Sequence, residues 1–197
     1  MAQSAWRRDS AKQSGVTGTA MPNVVLRRMT RSTDLIATCT CGNVELKALG
    51  PPIVSTVCYC DDCQKGSDQI EALPNARAVR AGDGGTAYIL FRKDRVECTK
   101  GAEHLRGYKL KETSATNRIV AACCNAPMFM NFDRGPHWVS VYRARFQGEI
   151  PPLQLRICTR SKPDGVVLPD DLPKYDGFPP SLILRLLAAR VAMLLGR

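Results

Sequence analysis

Histidine is nearly missing. The 197 residues hold two, His104 and His137, isolated and without ligand spacing, so both read as ordinary packing or surface residues. No Ser-His-Asp arrangement, phosphate loop or dinucleotide fingerprint can be assembled from the chain. Aromatics are sparse at 6%, which leaves few platforms for stacking bases. No apolar core followed by a small-residue cleavage site marks a signal peptide, and no apolar run is long enough for a transmembrane span. Acidic residues are almost absent from residues 1–33, where Ser, Thr, Gln and Arg dominate without any helical or strand period. That stretch reads as a disordered basic leader, too poor in apolar surface to offset its ordering entropy.

What remains is ordinary in bulk and unusual in one residue. A hydrophobic fraction of 44% suits one soluble domain with appendages. Nine cysteines are too many for core filler, and they are clustered rather than spread as a disulfide framework would be. They point to metal and to a reducing, cytoplasmic compartment. The net charge of +10 invites an anionic partner, but much of the excess sits at the ends, around Arg7, Arg8, Arg27, Arg28 and Arg31, then Arg185, Arg190 and Arg197. Solvated basic tails account for it better than a nucleic-acid site.

From Asp34 the pattern turns to short strands broken by Gly, Asn and Pro, which predicts a mainly β, antiparallel domain over 34–160. A strand over Ile53–Val57 runs straight into Cys58. A short helix is expected over Gln64–Leu73, stopped by Pro74 and capped by Asp61 or Asp62, with Cys60 and Cys63 near its N-terminus. Residues 161–180 read as a linker or surface strap. The apolar run from Ser181 to Leu195 reads as a helix capped by Ser181, docked on the domain or against a second copy in a homodimer.

The chemistry lies at the thiols. Cys58, Cys60 and Cys63 fall within six residues, too close for unstrained disulfides among themselves but well spaced for one soft metal ion. Cys39 and Cys41, two apart on an extended segment, point the same way, and Gly42 gives the knuckle its backbone freedom. Cys124, in a turn with Asn125 and Pro127, is a third ligand for the Cys39–Cys41 ion, with Cys123 as a further candidate. Cys98 and Cys158 stand alone in alternating patterns and read as small core residues. Three local ligands at Cys58, Cys60 and Cys63 leave one tetrahedral position, either filled by a distant group or open for chemistry.

Cys39-Thr40-Cys41-Gly42, Cys58-Tyr59-Cys60-Asp61-Asp62-Cys63 and Cys124-Asn125-Ala126-Pro127 together resemble the glutathione-dependent formaldehyde-activating enzyme family, which includes centromere protein V. The resemblance covers about residues 34–147. It implies a β-tent zinc fold with two metal sites: one structural, on Cys39, Cys41 and the last turn, and one on Cys58, Cys60 and Cys63 with its fourth position open to a thiol. Ala121 stands where the family has a further cysteine, and Asn125 replaces a glycine. Two zinc ions are therefore expected, or one if the altered turn does not bind. The implied activity is that of a carbon–sulfur lyase adding a small thiol such as glutathione reversibly to formaldehyde. Lys65, Arg80, Gly84 and Gly85 are candidates to receive the thiol's carboxylates. The alternative is a zinc-stabilised binding module without turnover, contacting a protein or nucleic-acid partner.

Overall fold

The computed structural model describes residues 34–196; the leader read over 1–33 lies outside the described residues. Among the described residues, ten strands make two sheets. The smaller pairs β1 (Leu35–Thr38), β2 (Glu45–Ala48) and β5 (Val96–Lys100) in the order β1-β2-β5. The larger holds β3 (Val54–Cys58), β4 (Thr86–Arg92), β6 (Leu105–Tyr108), β7 (Thr116–Ala121), β8 (Ala126–Phe132), β9 (Trp138–Tyr142) and β10 (Leu155–Ile157), in the order β10-β3-β4-β9-β8-β7-β6. The mainly β expectation holds. One pair departs from the antiparallel rule: β10 runs parallel to β3, with Ile157 opposite Cys58. A parallel neighbour needs a long crossover, and the whole chain between residues 58 and 155 supplies it.

Side chains alternate between faces along a strand, so the two faces of the large sheet collect different residues. Tyr88 and Leu90 of β4 join one core with Val54, Cys58, Leu182 and Leu186. Ile89 and Phe91 join the other, with Ala37, Leu46 and Ala48 of the small sheet. The helices serve the first core. Helix α1 (Asp61–Glu71) buries Cys63, Gly66, Ser67 and Ile70, the spacing of one helical face. Its N-cap is Cys60, not Asp61 or Asp62, which lie exposed in the first turn, where their charge suits the helix dipole. Helix α2 (Pro180–Leu194) likewise begins before Ser181, with Pro179 at the cap. Proline fits this first turn because its missing N–H would have had no partner.

Buried His137 bonds the Leu186 carbonyl of α2 at 2.7 Å, which helps to hold the helix down. Only Leu182 and Leu186 of α2 are buried; Ile183, Leu184, Leu187, Val191 and Leu194 stay exposed, on the helix expected to dock on the domain or against a second subunit. Residues 161–179 form a strap rather than a free linker. Arg156, 6% exposed, bonds Tyr59 and Asp83 through one nitrogen and Asp171 of the strap through another. Among the described residues no helix is long and apolar enough to cross a membrane.

Candidate metal centre and thiol site

The knuckle after β1 and the turn between β7 and β8 meet at one end of the second core. There Cys39, Cys41, Cys123 and Cys124 bring four sulfurs within 4.8 Å of one another. Three separations are 3.5, 3.9 and 3.3 Å, for Cys39–Cys41, Cys39–Cys123 and Cys41–Cys123. A tetrahedron with zinc–sulfur bonds near 2.3 Å has edges of about 3.8 Å, so the donors suit a closed four-thiolate ion. Adjacent cysteines can share it because the chain turns sharply after them. Cys124 N–H donates to the Ala121 carbonyl at 3.1 Å, and Asn125 follows in the left-handed region at φ 52°. Asparagine is the best non-glycine occupant of that region, and its side chain also donates to the Pro74 carbonyl at 2.8 Å. Cys123 thus brings to the group a sulfur that Ala121 lacks, and Asn125 takes the left-handed position.

Burial works against ionising Cys39, but the Val44 N–H at 3.2 Å and the neighbouring thiols outweigh it and bring the group down to about 7. Arg145 lies beside the same group, donating to Thr40 at 2.9 Å. Burial lowers its affinity for a proton, and the thiol group beside it acts in the opposite sense.

The second group stands on the other core. Cys58 ends β3, Cys60 caps α1 and Cys63 lies in its first turn; the three sulfurs are within 4.8 Å of one another. Cys60 is held far toward the thiolate, first by hydrogen bonds from Cys58 and Cys63, then by the backbone N–H groups of Cys63 and Asp62. Those are the free donors of a helix N-terminus, a setting that favours thiolates generally. The Tyr88 hydroxyl sits 3.8 Å from the Cys63 sulfur, and burial pushes its phenol well above the usual range, so it stays a donor. All nine cysteines are free, so nothing competes covalently for these sulfurs.

The trio opens on a cavity of about 450 Å³, a size ordinary for small-molecule sites. Trp138, Phe178 and Leu186 give it apolar lining, while Arg118 and Arg160 bring positive charge and Asp61 and Asp62 negative charge. Arg118 is 2% exposed; its Nη2 donates to the Asp62 carbonyl, while Nε and Nη1 have no partner.

The sequence of residues 34–154, more than half of the chain, matches the family model described as glutathione-dependent formaldehyde-activating enzyme. The chain belongs to that family. A crystal structure of a Rhodobacter sphaeroides protein is similar at 19% identity and a TM-score of 0.41, over 59% of this chain and 91% of the other. Nothing matches among proteins of curated function.

The family member's remaining candidate residues are not gathered at the cavity. Lys65 is exposed on α1, and Arg80 is paired with Glu71 at 2.8 Å and with Asp68 at 2.5 Å. Gly84 and Gly85 are close-packing positions: a Cβ on Gly84 would fall 2.7 Å from Pro163 Cδ, and one on Gly85 2.7 Å from the Tyr59 ring. Cys98 is half-buried on the second core, as a small packing residue. Cys158 belongs to the first core as expected, yet it also lines the cavity beside Cys58. Nothing in the sequence around Arg118, Tyr88 or Cys158 marks them as site residues. Only the pairing of β7, β4 and β10 with distant strands places them there, and no local motif announces it.

Proposed function

We propose that the chain is a zinc-dependent carbon–sulfur lyase that binds a glutathione-like thiol beside Cys58, Cys60 and Cys63 and adds it reversibly to formaldehyde or a related aldehyde. The observation that carries this reading is the contrast between the two thiol groups. One is a complete quartet away from the cavity; the other is a trio that faces it. Zinc on the trio would bind an incoming sulfur as thiolate, the form nucleophilic toward an aldehyde, since a three-thiolate shell carries a net negative charge and activates water poorly.

The chain's own residues supply the rest. The α1 N-terminus and the Tyr88 hydroxyl stabilise negative charge on Cys60 and Cys63. The apolar lining from Trp138, Phe178 and Leu186 limits the water that would compete for the aldehyde. Arg118 and Arg160, which line the cavity, are better placed to receive the thiol's carboxylates than the candidates Lys65, Arg80, Gly84 and Gly85, which do not.

Two measurements test the reading. Protein purified without added metal should carry two zinc ions, falling to one on Cys60→Ser and also on Cys124→Ser. Exchange of carbon-13 formaldehyde with glutathione, followed by NMR, should run faster with the chain than without it, and Cys60→Ser should abolish the gain. Two tightly bound ions with no effect of thiol on a cobalt-substituted site, and no acceleration, would leave the zinc-stabilised binding module instead.

A further inference from the structure

The family match ends at residue 154, but the cavity does not. Ile157, Cys158, Arg160, Phe178 and Leu186 also line it, all from the segment that follows. Cys158 is the chemically active one. The parallel pairing of β10 with β3 sets Ile157 opposite Cys58, and Tyr59 N–H donates to the Ile157 carbonyl at 3.1 Å, so the next residue arrives at the trio. Cys158 and Cys58 line the same stretch of cavity wall, 7% and 6% exposed. Yet Cys158 stands outside the set of sulfurs mutually within 4.8 Å, unlike any of the four thiols of the closed group. It shares the cavity wall with the trio, but its sulfur is not within 4.8 Å of all three, so it completes the shell only by moving toward them.

We propose that Cys158 is an exchangeable fourth ligand: it completes the shell of an ion on Cys58, Cys60 and Cys63 at rest, and the substrate thiol displaces it. This rests on the proposed thiol-binding role of the trio. The exchange balances without an oxidant. One metal–sulfur bond breaks as another forms, and the proton of the incoming thiol passes to the departing Cys158 sulfur. A vacancy sealed between turnovers would keep water and stray ligands off the ion, while the neighbouring apolar wall gives the displaced thiol a place to stay.

The test uses the full chain loaded with cobalt, whose sulfur-to-metal charge-transfer intensity rises with the number of bound thiolates. Cys158→Ala and Cys158→Ser should each start lower than wild type by one thiolate and gain it on addition of 2-mercaptoethanol. Wild type should show little change in intensity, because one sulfur replaces another. By isothermal titration calorimetry, which reads binding whether or not the intensity changes, both variants should bind 2-mercaptoethanol roughly tenfold more tightly, the change expected if the resting site is open about a tenth of the time. Equal starting intensity and equal affinity in wild type and both variants would overturn the inference. If no form binds added thiol, the proposed function fails, while the starting intensities still decide whether Cys158 is a ligand. Far-ultraviolet circular dichroism checks that each variant is folded.

Discussion

Gly66→Ala sets a general rule against a specific contact. Gly66 sits inside α1, where alanine is ordinarily the better residue by about 0.8–1 kcal/mol. Here a Cβ would lie 2.6 Å from Arg118 Cδ and closer still to Nε and Cζ. A long exposed side chain would swing aside, but Arg118 is 2% exposed and is held by its bond to the Asp62 carbonyl. Overpacking costs about 1–3 kcal/mol, and losing a charged hydrogen bond about 1.5–3 kcal/mol. Against the propensity gain, the net loss is about 1.5–5 kcal/mol. The assay is urea unfolding at fixed free zinc, because metal binding to the native state adds to apparent stability. A double-mutant cycle with Arg118→Ala isolates the cause. In that background the contact is gone, so Gly66→Ala should turn stabilising by up to about 1 kcal/mol. A stable single variant, or the same effect in both backgrounds, would refute the packing argument.

The Glu71 carboxylate accepts from Val79 N–H at 2.7 Å, Arg80 N–H at 3.1 Å and the Arg80 guanidinium at 2.8 Å. Burial alone would raise its pKa, but these donors outweigh it and hold the group below 4.5. A depressed native pKa contributes stability above the unfolded value and loses it as pH falls through the native one. Glu71→Gln should therefore cost about 1–3 kcal/mol at pH 7, with the gap to wild type closing below pH 4.5 in parallel unfolding curves. At Asn125, alanine in the left-handed region should cost about 1–2 kcal/mol, plus about 1 kcal/mol for the lost bond to Pro74. Asn125→Gly should lose only the bond. Zinc transfer to a colorimetric chelator should be faster for Asn125→Ala than for Asn125→Gly; equal rates would mean that the turn does not depend on this backbone state.

Much of the site was legible because metal ligation by cysteine is written locally. Three thiols in six residues cannot easily do anything else, and their spacing survives whatever fold surrounds them. The strand-and-turn rhythm likewise announced a mainly β domain, since alternation and turn chemistry act within a few residues. Local signals placed the start of α1 too late and its cap on the wrong residue, because Cys60 is a poor capping type and has no side-chain cap bond.

Three things were decided only by long-range pairing. Cys123 and Cys124 share one group because the turn folds back on a knuckle more than eighty residues earlier, at separations down to 3.3 Å. Arg118 looks like an ordinary polar residue of a strand until the sheet buries it against Gly66. Cys158 reads as core from its neighbours and is core, but the parallel register of β10 on β3 also sets it at the mouth of the trio. Residue types and short spacings determine which atoms can bind; only strand order and register determine which of them meet.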